Sequence, residues 1–287
     1  MTFSSHRFLW RFLMLVFCVT VYQQAMAGQV QMSVRSHSVD LKTALNRVLV
    51  VNIDKSESVV RSTSSLESLT RTLNALQPSF LMGFSHLADE TPLSTSQVAL
   101  FLEIRQKILA TNPRCKFAVT LSVANYLTPA ELLNKLQEIT TKLNPDAIHL
   151  VVSSNNEVVS LTAMLKGIEF AHAHGELVFY EGPSTMIPDG IDCFVMKASN
   201  GEVHRDEINN FKMKHHLPII VRVSSVLHSQ DPKGILLLTH LAEEQVSFGY
   251  HLAYPIHLPQ VVPLSTLSSE KDTSLLVTLR ALMARFN

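Results

Sequence analysis

The stretch Lys116 to Val152, KFAVTLSVANYLTPAELLNKLQEITTKLNPDAIHLVV, decides the fold. It opens on an apolar, β-branched run, KFAVTLSV, short enough to read as a strand buried on both faces. Thr128-Pro129-Ala130-Glu131 then starts a helix. Thr128 caps it, and Pro129 suits the first helical position because its missing N–H would be unpaired there anyway. Glu131 completes a capping box. The helix runs to Leu143, and a second apolar run follows from Ala147 to Val152. Strand, helix and strand on short connections form a βαβ unit, which makes the two strands parallel.

The unit recurs on both sides. Strands are expected at Arg47–Ile53 and Phe80–Phe84 before it, and at Leu177–Tyr180, Cys193–Met196, Ile219–Val223 and Ser247–Leu252 after it. Apolar residues three and four apart predict helices over Ser65–Leu76, Ser94–Ala110, Glu157–His174, Glu202–His215, Pro232–Gln245 and Thr273–Phe286. Gly175 is a stop signal for the fourth of the chain's helices. Only Glu181 to Asp192 separates the fifth and sixth strands, and that span holds Pro183 and Pro188. The pattern predicts an α/β fold, a (β/α)8 TIM-type barrel forming a single domain over 47–287, with a shortened fifth crossover lacking its helix. An open, doubly wound sheet is the competing architecture.

Residues 1–27 read as a secretory signal peptide. His6, Arg7 and Arg11 precede the apolar run Phe12–Tyr22, and Ala25-Met26-Ala27 forms the cleavage site. The run is too short to span a membrane, which takes about 20 residues. Retention as an uncleaved anchor is the alternative. Export to the periplasm or outside the cell is therefore expected, with 28–46 as a lead-in segment and no membrane span after cleavage. The leader carries two of the 24 basic residues and none of the 24 acidic ones, so the remainder has a net charge of −2. That balance excludes the basic face of a nucleic-acid binder. Cys115 and Cys193 begin different predicted strands and are expected to be buried free thiols. They cannot make a cysteine-rich zinc site.

In such barrels the working site lies at the C-terminal ends of the strands. There stand Asp54, Glu181, Lys197 and Tyr180 as candidate catalytic groups. His86, Asn125, Tyr126, Asn155, Arg222, Ser224 and Tyr254 are candidate substrate-binding groups for a small polar or carbohydrate ligand. Asp54 and Glu181 follow the first and fifth strands and could face each other, as an acid paired with a base or nucleophile in sugar hydrolysis. The plainer alternative makes Asp54 a cap and Glu181 a solvated loop residue. A lysine enclosed in an apolar mouth serves as a Schiff-base nucleophile, with Tyr180 as proton relay. The alternative is Lys197 ion-paired with Glu181 or Asp54.

LVFYEGPST and FVMKAS resemble the tyrosine and lysine strands of the dihydrodipicolinate synthase and N-acetylneuraminate lyase family. The resemblance covers about 25 residues and implies Lys197 as the Schiff-base lysine and Tyr180 as the relay. The Gly-Thr-Thr-Gly-type loop of that family is replaced here by GFSHLADE. NPDAIHLVV, HGELVFYEGPS and DGIDCFVM resemble secreted chitinase-like and endoglycosidase-like barrels. Those families carry a catalytic glutamate at the end of strand four, where this chain reads HLVVSSNN. The only tryptophan, Trp10, lies in the leader, which removes the largest platform for a sugar ring.

Histidine is abundant, yet no H-E-x-x-H is present, and no metal or cofactor is expected. His172 and His174 are expected to point to different faces of a helix, and His215-His216 to end one. Ser224-Ser225 is a weak phosphate signal without a glycine-rich loop, and no G-x-S-x-G elbow supplies a serine nucleophile. The expected function is a glycosidase-like hydrolase using strand-end carboxylates. A Schiff-base lyase using Lys197 and a non-catalytic ligand- or partner-binding barrel are the alternatives. No signal for an oligomeric state is present.

Overall fold

The structure is a computed structural model of the 287-residue chain. It describes residues 45, 48–52, 67, 70, 73–74, 76–84, 92–123, 128–152, 161–198, 205–223 and 251–257, with the backbone alone at 49–52, 198, 205, 223 and 251–257. All of them belong to the unit Ala44–Asn287.

Eight strands are present: β1 Val48–Asn52, β2 Phe80–Gly83, β3 Lys116–Ser122, β4 Ala147–Val151, β5 Leu177–Glu181, β6 Cys193–Ala198, β7 Ile219–Val223 and β8 His251–His257. Every pairing is parallel and follows chain order, and β8 closes on β1 with Val48 opposite Ala253. That pairing excludes the open sheet. The described helices are α1 Thr95–Leu109, α2 Pro129–Leu143, α3 Leu161–Ala173 and α4 Arg205–His215. Glu67, Thr70, Leu73, Asn74 and Leu76 are also helical, within the helix expected between β1 and β2. The helices expected over 232–245 and 273–286 lie outside the described residues.

Local chemistry sets the helix ends. Ser94 and Gln97 form a capping box on α1, and Thr128 and Glu131 form one on α2. Asn144 closes α2 in the left-handed conformation at φ 47°, a geometry asparagine tolerates better than most residues. Gly167 lets α3 lie against α2, since a Cβ there would stand 3.1 Å from Leu136 and 3.3 Å from Leu132. The 182–192 segment contains no helix, as expected. Its own Pro188 and Ile191 are buried instead.

Alternation along the strands sorts side chains into two layers. Val119, Leu121, Ile148, Leu150, Val178, Tyr180, Phe194, Met196 and Val221 join Ile104, Leu132, Leu136, Met164 and Ile168 of the helices in one core. The opposite parity lines the barrel. There Phe80 and Phe179 meet at 5.1 Å between ring centroids, beside buried Ala118, Ala147, Val195 and Ile220.

Two aspartates of the same design set the register at the base. Asp146, just before β4, donates its N–H to the Phe117 carbonyl at 2.8 Å and accepts the Phe117 N–H on Oδ2 at 2.9 Å. Asp192, just before β6, does the same to Val178 at 2.9 and 2.7 Å. Each aspartate thus closes a two-point clamp on the preceding strand.

The eighth strand corrects the reading of the sequence. It runs from His251 to His257 rather than from 247 to 252, and it contains Pro255. A proline argues against a strand interior because it cannot donate to the ladder. Here β7 pairs with β8 as far as Ala253, so among the described residues Pro255 has no partner strand on that side of β8. Cys115 and Cys193 are buried free thiols, as expected, and burial raises both, Cys115 to about 12.

Candidate functional site at the barrel mouth

Four inward-facing side chains meet toward the C-terminal ends of the strands: Thr120 of β3, His149 of β4, Glu181 of β5 and Arg222 of β7. Thr120 Oγ1 lies 3.1 Å from His149 Nδ1. His149 Nε2 lies 3.4 Å from Glu181 Oε2, an ionic approach without hydrogen-bond alignment. Arg222 Nη2 donates to Glu181 Oε1.

Glu181 is 8% exposed and His149 is 2% exposed. Burial pushes the Glu181 carboxyl up, but His149 and Arg222 beside it more than offset that and hold it at about 2. The carboxylate therefore stays charged at any working pH. That suits a nucleophile, a charge stabiliser or an anchor for a ligand. It does not suit a group that must arrive protonated.

The expected site residues divide clearly. Glu181 is the last residue of β5 and is buried, which corrects the reading of it as a solvated loop residue. Arg222 joins it. Tyr180, its neighbour in β5, faces the other way, because adjacent strand residues point to opposite faces. It packs in the outer core beside Phe194, at 6.1 Å between centroids, and its hydroxyl is buried without a hydrogen-bond partner among the described residues. Burial raises that phenol to about 12. Tyr180 is thus not brought to the group around Glu181, and the relay to Lys197 is corrected on the same ground.

Lys197 lies within β6, opposite Arg222 of β7. It is exposed, which corrects the enclosed setting expected of it. Among the described residues it makes no ion pair, and the partners of Glu181 are Arg222 and His149 instead. Tyr254 stands inside β8, opposite Leu49, rather than beyond the strand end. Asp54, His86, Asn125, Tyr126, Asn155 and Ser224 lie outside the described residues.

His149 and Thr120 were not among the expected groups. The signal for His149 was present: one polar residue inside the apolar run AIHLV, two positions before the strand's end and so in phase with it. Among the described residues, no group of three or more His, Cys, Asp or Glu side chains is placed to hold a metal ion. Nor is any helix among them long and apolar enough to cross a membrane.

No protein family matches the chain in sequence. No curated protein matches it either. Solved structures do match it in fold. XacCel5A superimposes with a TM-score of 0.56 at 8% identity, covering 82% of this chain and 99% of that one. A protein assigned as a fructose-1,6-biphosphate aldolase from Coccidioides immitis gives 0.52 at 10% identity, covering 87% and 92%. At such identities the likeness is one of fold, and it shows the TIM-type barrel.

Proposed function

We propose that the chain is an exported hydrolase, glycosidase-like in its chemistry, working at the mouth of a complete (β/α)8 barrel. The leader 1–27 is removed after Ala27. The observation that carries the chemistry is Glu181, a buried carboxylate kept ionised by Arg222 and His149 at the end of a barrel strand. An ionised carboxylate acts as nucleophile or stabilises a developing positive charge at a sugar carbon. Asp54, after β1, is the residue assigned to donate the proton to the leaving group.

The test is turnover of a panel of aryl glycosides by the full chain and by Glu181→Gln. Activity that falls by several orders of magnitude in the variant supports the reading. A wild-type chain inert on the whole panel removes it. N-terminal sequencing of exported protein should begin at Gly28.

A non-catalytic ligand-binding barrel is the second reading. It is favoured by the way Arg222 binds one carboxylate oxygen of Glu181 while His149 stands 3.4 Å from the other. The Schiff-base lyase is set below both because Lys197 is exposed.

A further inference from the structure

We propose that the mouth takes an anionic small molecule, whose carboxylate or phosphate group is held between Lys197 and Arg222. This deepens the reading of the mouth as the working site and rests on it. Lys197 and Arg222 are paired across β6 and β7, so both side chains leave the same face of the sheet from strands about 4.8 Å apart. The neighbouring residues fix which face. Met196 and Val221 belong to the outer core, whereas Val195 and Ile220 are buried with the opposite parity. Lys197 and Arg222 therefore stand on the inward face at the C-terminal end, in line with Glu181.

Two like charges placed directly opposite each other destabilise a sheet. Glu181 offsets only one of them. It binds Arg222 through Nη2 and leaves Arg222 Nε shielded from solvent without a hydrogen-bond partner among the described residues. Lys197 is exposed with no ion pair among them. Among the described residues two cations face one carboxylate here, one positive charge in excess. A buried N–H donor and a lysine reaching solvent are the pair of contacts that a two-oxygen anion accepts. The chain as a whole has no net charge, so the excess is a local arrangement and not a property of composition.

The experiment is calorimetric titration of the full chain, and of Lys197→Met, with inorganic phosphate, glucuronate and glucose at low salt. Lys197 is exposed, so its replacement leaves the core untouched. Binding of either anion, weakened roughly tenfold in Lys197→Met and weakened again by added salt, supports the proposal. Phosphate alone identifies a phosphorylated ligand, and glucuronate alone identifies a carboxylate. Glucose binding as tightly as glucuronate overturns it, as does an affinity unchanged in Lys197→Met or no binding of either anion. Aryl glucuronide turnover separates the two claims. Anion binding without turnover removes the hydrolase and keeps the anion site. Turnover of neutral glycosides without anion binding does the reverse.

Discussion

Glu181 is braced from two sides, and removing the brace should be felt. Glu181→Ala leaves Arg222 facing a void with its charge uncompensated. A fully buried broken pair costs about 3–5 kcal/mol, and the partial exposure of Arg222 reduces that to roughly 2–3. Urea titration of the variant reads it. Next to Glu181, Tyr180 wastes a hydroxyl. Tyr180→Phe removes a buried group without a partner among the described residues, and should leave stability unchanged or raise it by up to ~1 kcal/mol. Gly182→Ala should do the opposite, because a Cβ there would stand 2.5 Å from the Tyr180 hydroxyl. Overpacking of that kind costs about 1–3 kcal/mol, and the double variant Tyr180→Phe, Gly182→Ala should recover part of it. At this scale the sequence was half legible. It marked Glu181 and Arg222 as strand-end polar groups. It also placed Tyr180 beside Glu181 at the mouth, although neighbouring strand residues cannot share a face. His149 was hidden because it sits inside a strand, not at the end where the barrel rule looks.

The elements were the most legible part. The span 116–152 was read correctly to within a residue because its capping box and its two β-branched runs agree with each other. β8 was displaced because Pro255 signals a break, and nothing local says that, among the described residues, β7 stops pairing before it. The two aspartate clamps were quoted in the sequence without their role, since a side chain reaching across to a neighbouring strand leaves no periodic trace. Asp192→Ala and Asp146→Ala each strip a carboxylate from a strand N–H. Loss of one such charge-assisted bond should cost about 1.5–3 kcal/mol. Each also loses an ion-pair partner, His172 at 2.9 Å for Asp192 and Arg105 at 3.7 Å for Asp146; Asp192→Ala should cost more, because its pair is the closer one and Arg105 keeps the Leu143 and Asn144 carbonyls. Thermal melts of the two variants side by side measure the order.

Across the molecule, β5 carries a carboxylate at each end, and the two titrate in opposite senses. Glu176, just before Leu177, accepts from Thr140 at 2.8 Å while its other oxygen has no partner among the described residues. Burial pushes it up to about 7, opposed by Thr140 and His174 and aided by Asp146. Its contribution to stability is complete below the ordinary 4.5 and is lost as pH rises through about 7. Glu181, held at about 2, contributes above 4.5 and loses that contribution as pH falls through about 2. The pair is best satisfied near 4.5, so melting temperature should peak on the acid side of neutrality. Glu176→Gln should raise it at alkaline pH and leave it unchanged in mild acid. The clamps carry a further consequence at this scale. Asp146 fastens β4 to β3 and Asp192 fastens β6 to β5, and among the described residues no aspartate clamp of this kind crosses from β4 to β5, where the Leu177 N–H meets the Asp146 carbonyl at 3.0 Å through backbone alone. A backbone cut between those strands leaves each fastening whole within its own fragment. The barrel is divisible there into two self-registered halves, which should reassemble when produced as separate chains, whereas a cut between β5 and β6 should not allow it.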